Sequence, residues 1–166
     1  MTISLQDKVI WITGASGGIG EALAKQFSAA GAKVVLSARR KTELERVQQS
    51  LPQPERHLTV PLDICDEPAQ QQALDKIIHH YGRLDWLINN AGISQRALVM
   101  DTSSDTDRKI MEIDYFAQVA LSRRVLSVML KQGTGQLVFI SSVAGLVGTQ
   151  YRGSYSAAKA ALHLWA

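Results

Sequence analysis

The chain has 166 residues, 46% of them hydrophobic, so it can bury one sizeable core and we expect a single domain over residues 1–166. Its 18 basic and 15 acidic side chains leave a formal net charge of +3, too mild and too scattered to indicate a nucleic-acid-binding protein. Cys65 is the only cysteine, which excludes an intramolecular disulfide and suits a reducing compartment.

The predicted elements alternate between strands and helices along the chain. The strands have apolar runs, and in chain order they are Lys8–Thr13, Lys33–Ser37, His57–Pro61, Asp85–Asn89 and Gln136–Ser141. The helices run approximately over Ile19–Ala30, Thr42–Ser50, Asp66–Gly82, Asp105–Lys131 and Ser154–Ala166. Gly31 is the stop signal of the first helix, and Thr42 with Glu45 forms a candidate capping box for the second.

This alternation predicts an α/β protein with a doubly wound parallel sheet of the Rossmann-like type. Continuous apolar strands between helices indicate a sheet covered on both faces. Right-handed crossovers then place ligands at the carboxyl ends of the strands. The glycine-rich loop after the first strand, the segment Asn89–Gly92 and Ser142 all follow predicted strands, so we expect the functional site at that edge.

No targeting segment or metal-binding cluster is evident. Residues 1–7 are polar, and the apolar run Val9–Ile12 is far shorter than a signal-peptide core or a membrane span. We therefore expect a cytoplasmic protein with no signal peptide and no membrane association. The histidines lack metal-ligand spacing with Cys65 or acidic residues, so we expect no metal and interpret all four as structural: His57, His79, His80 and His163.

A glycine-rich loop links the first strand to the first helix. Gly14, Gly18 and Gly20 permit positive φ and close backbone approach, and the helix that begins near Ile19 presents unpaired N–H groups to an anion. A plain strand–turn–helix connection would need only one glycine. No Lys-Ser/Thr follows as in a nucleotide P-loop, and the G-x-G-x-x-G spacing is not met. The remaining pattern is Thr-Gly-x-x-x-Gly-x-Gly.

Ser142, Tyr155 and Lys159 form a candidate proton-transfer site. A phenol is a weak acid near neutrality, so a tyrosine that exchanges protons needs a fixed positive charge nearby. Residues four apart on a helix share a face, so Lys159 can favour the phenolate of Tyr155 while Ser142 offers a hydroxyl to a substrate oxygen. Tyr/Lys pairs also occur on many solvated helices, so this pair alone does not establish a site.

With Asn89-Asn-Ala-Gly92 between them, the two motifs resemble those of the short-chain dehydrogenase/reductase family over essentially the whole chain. The interval of thirteen from Ser142 to Tyr155 fits the family, whereas Tyr151 fits neither that interval nor the downstream lysine. The resemblance implies an oxidoreductase that transfers hydride between a nicotinamide and a ketone, aldehyde or secondary alcohol. It assigns Tyr155 as general acid–base and places Lys159 near the nicotinamide ribose. The alternative is a non-catalytic dinucleotide-binding module.

The end of the second strand indicates which cofactor is used. An acidic residue there would bond a ribose 2′-hydroxyl, whereas an arginine accommodates a 2′-phosphate. The chain has Arg39 and Arg40, which favours NADP(H), although two solvated arginines leading into a polar helix are the alternative. Many NADP members carry Lys or Arg where Gly17 stands, so specificity would rest on these arginines. The resemblance adds further cofactor-binding residues: Ser16, Ile19, Asp63, Ile64 and Asn90.

The chain departs from the family at Asp114 and in length. Relatives usually carry an Asn there that completes a proton relay to the lysine. We expect Asp114 either to serve the relay and shift the active pH range or to be an ordinary polar helix residue. Family members run to about 250 residues, so we expect this chain to be part of a longer domain.

The long helix shows two apolar stripes. One contains Ile110, Ile113, Ala117 and Leu121, and the other contains Met111, Tyr115, Val119 and Leu126. We expect one stripe to pack on the sheet. The other is expected either to form a homodimer or homotetramer, or to be buried within the monomer.

Overall fold

Five parallel strands form one sheet in the computed structural model, which describes residues 4–166. The order across the sheet is β3-β2-β1-β4-β5. The strands are β1 Val9–Thr13, β2 Lys33–Ser37, β3 Leu58–Thr59, β4 Trp86–Asn89 and β5 Gln136–Phe139. The helices are α1 Gly18–Ala29, α2 Lys41–Gln49, α3 Glu67–Tyr81, α4 Ser104–Met111, α5 Ala117–Gln132 and α6 Gly153–Trp165.

The predicted doubly wound parallel sheet is confirmed. The prediction of no signal peptide rests partly on residues 1–3, which lie outside the described residues. Within residues 4–166, no helix combines the length and the apolar character needed to cross a membrane.

The central strand β1 divides the apolar core into two layers. All five of its residues are buried, as expected for a parallel strand covered on both sides. Trp11 belongs to the layer that includes side chains of α3 and α5, whereas Ile10 and Ile12 belong to the layer that includes α1 and α2. The Trp11 indole N–H donates to the Ser37 hydroxyl at 2.8 Å, so the largest buried side chain also has its polar atom paired.

The chain reverses its winding direction at β1, because β2 pairs with one side of this strand and β4 with the other. The connections that follow β1 and β4 therefore diverge and leave a crevice at the carboxyl edge of the sheet. Such switch points bind ligands in open α/β sheets.

Helix α2 begins differently from the prediction. The helix starts at Lys41, its N-cap residue is Arg40, and no side chain caps it. The interpretation of Thr42 and Glu45 as a capping box is therefore wrong, because Thr42 already lies inside the helix. Glu45 instead lies 3.6 Å from the ammonium of Lys41, one turn earlier.

Strand β3 is shorter than predicted at both ends, and at its start a histidine ring takes the place of a backbone partner. The buried His57 accepts the Val34 N–H at its Nδ1, 3.0 Å away, and its Nε2 lies 2.8 Å from the Ser28 hydroxyl. Burial lowers the pKa of His57, which favours the neutral ring that this acceptor role requires. His57 thus joins β2 to α1 and has a structural role.

The predicted long helix is interrupted by a wider π turn at Glu112–Phe116, between α4 and α5. No proline or glycine marks the place in the sequence. The turn carries Asp114, which is fully buried. π turns inside helices are frequent at functional sites.

The two predicted stripes of this helix differ in burial. Ile110, Ala117 and Leu121 are buried, as expected for the stripe that packs on the sheet. In the second stripe only Val119 is fully buried, and the neighbouring Phe116 is 53% exposed. Self-association through this stripe stays a prediction.

Candidate active site

The glycine-rich loop combines tight packing on one side with open space on the other. Gly14 has φ +66°, and a Cβ added there would lie 2.9 Å from the Ala91 Cα. A Cβ at Gly20 would collide with the carbonyl oxygen of Gly14. At Gly17 and Gly18, by contrast, no heavy atom lies within 4 Å of an added Cβ. A ligand phosphate can therefore approach the backbone where α1 begins, so the loop fits a dinucleotide.

Asn90 supports the loop from behind. Its side-chain amide donates to the carbonyl oxygens of Thr13 and Gly14 at 2.9 and 3.2 Å. The Thr13 hydroxyl accepts the N–H groups of Asn90 and Ala91, both at 3.0 Å. Asn90 thus holds β1 and β4 together beneath the loop and is not part of the cavity lining. Thr13 was missed as a site residue, although it is the threonine of the loop pattern.

A cavity of about 480 Å³ lies at the carboxyl ends of the strands, beside this loop. Six of the predicted cofactor-binding residues line it: Gly14, Ser16, Arg39, Arg40, Asp63 and Ile64. Three others, Gly18, Ile19 and Gly20, lie in the first turns of α1 and outside the lining.

The cavity also has lining residues that sequence reasoning missed. Lys109 and Glu112 reach it from α4 and the π turn, distant in sequence from the loop, and no local pattern marks them. Cys65 follows the predicted Asp63-Ile64 pair directly, and its N–H donates to the Asp63 carboxylate at 3.0 Å. Burial raises the pKa of the Cys65 thiol, and the neighbouring carboxylates act in the same direction. Cys65 therefore lines the cavity as a neutral thiol.

Arg39 and Arg40 are both exposed at the rim of this cavity. Among residues 4–166, no carboxylate lies within ion-pair distance of either guanidinium. Their charges are therefore available to an anionic ligand, because no protein carboxylate competes for them.

The short turn that Ser142 caps packs through a glycine against the helix that carries Tyr155. Ser142 follows β5 and caps the short turn Val143–Gly145, its hydroxyl accepting the Ala144 N–H at 3.2 Å. A Cβ at Gly145 would lie 2.8 Å from the carbonyl carbon of Lys159, so only glycine lets this turn contact the α6 backbone. The contact places the end of β5 against the helix that carries Tyr155.

Lys159 lies under Tyr155, one helical turn further along α6. It is only 4% exposed, and its ammonium lies 5.8 Å from the centre of the Tyr155 ring. The ammonium donates to the Ile140 carbonyl at 3.2 Å, which ties it to the end of β5. The ammonium is thus buried close to the half-buried tyrosine, as the helical spacing predicts, and its role in proton transfer stays a prediction.

Asp114 reaches the same lysine from the π turn. One carboxylate oxygen accepts the Ile93 N–H at 2.8 Å, and the other lies 3.4 Å from the Lys159 ammonium. Burial raises the pKa of Asp114, whereas the Ile93 N–H and the charge of Lys159 act in the opposite direction. A Cβ at Gly92 would lie 3.0 Å from this carboxylate, so the glycine leaves room for it. Asp114 is therefore a buried partner of Lys159 and not a solvated helix residue.

A loop whose backbone is open to a phosphate, at the switch point of a doubly wound sheet, is typical of a dinucleotide-binding protein. The family profile described as short chain dehydrogenase matches residues 8–166. The chain belongs to the short-chain dehydrogenase family, whose members are oxidoreductases that use a nicotinamide dinucleotide. The predicted family is thus confirmed.

Relatives are similar across most of the chain. It is 42% identical over 164 residues to human dehydrogenase/reductase SDR family member 7, covering 95% of the chain and 48% of that protein. It is 44% identical to a Drosophila melanogaster SDR family protein 7-like dehydrogenase/reductase, covering 98% of the chain and 51% of that protein. The chain thus spans about half the length of these relatives.

Solved structures share the fold. A short-chain dehydrogenase from Bacillus anthracis is 27% identical with a TM-score of 0.94, covering 98% of this chain and 66% of that one. A short-chain dehydrogenase from Streptomyces avermitilis is 34% identical with a TM-score of 0.90, covering 96% and 58% respectively.

Proposed function

We propose that the protein is an NADP(H)-dependent oxidoreductase that interconverts ketones or aldehydes with alcohols, with Tyr155 as its general acid–base. The observation that carries this proposal is the buried ammonium of Lys159, held between the Ile140 carbonyl and Asp114 beneath Tyr155. Burying a charge is costly, and a module that only binds a dinucleotide has no need of this arrangement.

In the proposed mechanism the substrate oxygen lies between the hydroxyls of Ser142 and Tyr155. A bound nicotinamide would supply or accept the hydride. Tyr155 donates its proton to the oxygen during reduction and removes it during oxidation. Lys159 favours the phenolate between these steps and would hold the ribose hydroxyls of a bound nicotinamide nucleotide.

The preference for NADP(H) is supported by Arg39 and Arg40, which line the cavity without a carboxylate partner among the described residues. The cavity-lining segment Ser37–Arg40 contains no carboxylate that could bond a ribose 2′-hydroxyl. The partners proposed are small-molecule carbonyl compounds or alcohols. A homodimer or homotetramer and a cytoplasmic location stay predictions.

A panel of ketones, aldehydes and secondary alcohols, assayed with NADPH or NADP⁺ and with NADH or NAD⁺, tests this proposal. We expect turnover of at least one carbonyl class, with the phosphorylated cofactor preferred. Tight NADPH binding without turnover anywhere in the panel would support the binding module instead.

Asp114 gives a prediction about pH. Its carboxylate offsets part of the Lys159 charge at 3.4 Å. Asp114→Asn removes that negative charge, so Lys159 favours the phenolate of Tyr155 more strongly. We expect the variant to stay active, with the rising limb of its alcohol-oxidation profile shifted to lower pH. The profile of kcat against pH, measured in the oxidative direction, checks this.

The control is Asp105→Asn, which removes the same charge from a side chain that is 96% exposed on α4. That variant should retain the wild-type profile. If Asp114→Asn also retains it, Asp114 has no role in proton transfer.

Thermal unfolding adds an independent measurement. Because the pKa of Asp114 is raised in the folded protein, wild-type stability relative to Asp114→Asn should fall as pH rises from 3.8 through the raised value.

A further inference from the structure

Arg46 on α2 contacts oxygens from three different segments. Its Nη2 lies 2.8 Å from Oε2 of Glu21, and its Nε donates to Glu43 at 2.9 Å. Nη2 also contacts the carbonyl oxygen of Ser16 at 3.4 Å. The planar guanidinium thus joins α2 to the first turn of α1 and to the glycine-rich loop.

Arg46 joins the glycine-rich loop to the helix that directly follows Arg39 and Arg40, the residues proposed for the 2′-phosphate. Ser16 belongs to the loop and lines the cavity. Arg39 and Arg40 also line it, immediately before α2 begins at Lys41. The Ala15 N–H already donates to the Ser37 carbonyl at 3.0 Å and holds the loop beside the end of β2. The Arg46 contact adds a second link, between the loop and the helix that follows the two arginines.

This second link matters because the loop itself carries no basic residue. Residues 14–20 are Gly-Ala-Ser-Gly-Gly-Ile-Gly. A 2′-phosphate held near Ser16 has to be met by charge from the separate Arg39–Arg40 segment. That segment is exposed and has no ion pair of its own within the described part of the chain, so its position depends on neighbouring contacts.

The Arg46–Glu21 contact has the properties of a fixed link. The Glu21 side chain is only 17% exposed, although the arginine is half exposed. Hydrogen bonds from Arg46 and Lys25 lower the pKa of Glu21 to about 2, so the carboxylate is ionised throughout the neutral range. All three guanidinium nitrogens of Arg46 contact carboxylate oxygens. Those of Arg39 and Arg40 have no carboxylate partner among residues 4–166.

We propose that Arg46 is a positioning residue for cofactor selection: it holds the segment with Arg39 and Arg40 against the glycine-rich loop and so favours binding of the 2′-phosphate. The inference rests on the proposed NADP(H) function. It assigns Arg46 no contact with the phosphate itself.

The first test compares Arg46→Ala with Lys25→Ala. Both variants lose one positive charge near the loop, and both lose a close contact with Glu21, which Lys25 reaches at 2.7 Å within α1. Only Arg46 links Glu21 to α2. We expect Arg46→Ala to weaken NADPH binding about two- to fivefold more than NADH binding. Lys25→Ala should leave the ratio of the two dissociation constants unchanged. Calorimetric titration of each cofactor gives these constants without any assay of turnover.

The second test uses the sign of a charge change. Glu21→Ala removes a negative charge beside the loop, so electrostatics alone would tighten NADPH binding. If Arg46 acts by positioning, the same variant loses the link to α2 and binds NADPH more weakly. Unfolding temperatures and NADH affinity close to wild type would show that the fold is retained.

Three results would overturn the positioning role. The first is an unchanged NADPH-to-NADH ratio in Arg46→Ala, and the second is an equal change in Lys25→Ala. The third is tighter NADPH binding by Glu21→Ala. Wild-type protein that shows no preference for NADPH would overturn the NADP(H) assignment together with this inference. A wild-type preference for NADPH that keeps its full size in Arg46→Ala would overturn the inference alone.

Discussion

Replacing Tyr155 by phenylalanine should lower turnover by about 10²- to 10⁴-fold, the usual contribution of a positioned acid–base group. The ring keeps its place beside Arg152 and Lys159, whose charged groups lie 5.7 and 5.8 Å from its centre. The variant therefore removes a hydroxyl and little else, so NADPH affinity should remain nearly unchanged. Steady-state kcat together with a cofactor titration measures both quantities on the same preparation.

Tyr151→Phe is the matched control for this substitution. Tyr151 lies four residues earlier, is 45% exposed, and contacts the loop after β4 through its backbone carbonyl, which accepts the Ala97 N–H at 3.0 Å. Loss of its hydroxyl should leave turnover at the wild-type level. If Tyr155→Phe keeps wild-type turnover, or if the Tyr151 variant is the inactive one, the assignment of the acid–base residue is wrong.

The layered fold could be predicted because its signals are local. Buried parallel strands give apolar runs, and glycines stop helices where the chain needs positive φ, as at Gly82 with φ +71°. Strand β3 begins later than predicted at the point where a ring nitrogen of His57 takes the Val34 N–H, a tertiary contact with no local pattern. The predicted capping box at Thr42 is also wrong, because the position of a helix start depends on more than its short motif. The motif fits the sequence, but α2 begins one residue earlier without a side-chain cap.

The candidate site follows the same division between local and tertiary signals. Tyr155 and Lys159 lie on one helix, so their proximity follows from helical spacing. The π turn that places Asp114 beside Lys159 could not be predicted from the sequence. It is accompanied by contacts with Ile93 and Lys159, which are distant in the chain. The role of Gly145 was missed in the same way, because its close approach to α6 exists only after β5 and α6 are packed together.

Arg39→Ala should weaken NADPH binding by roughly ten- to a hundredfold, since a charge-assisted hydrogen bond to phosphate contributes about 1.5–3 kcal/mol and each tenfold costs about 1.4 kcal/mol. NADH has no 2′-phosphate, so its affinity should change little. Arg39→Asp should move the preference towards NADH, because a carboxylate repels phosphate and accepts a ribose hydroxyl. Titration of nicotinamide fluorescence with both cofactors measures these affinities.

The control for Arg39 is Arg123→Ala, an exposed arginine on α5 that does not line the cavity. Both variants reduce the net charge from +3 to +2, so a general electrostatic effect on an anionic cofactor would appear in both. A loss confined to Arg39→Ala and to NADPH therefore locates the 2′-phosphate at the end of β2. If wild-type protein binds NADH as tightly as NADPH, or if Arg39→Ala weakens both cofactors equally, the NADP(H) assignment is wrong. In that case Arg39 and Arg40 are solvated residues that precede helix α2 and do not select the cofactor.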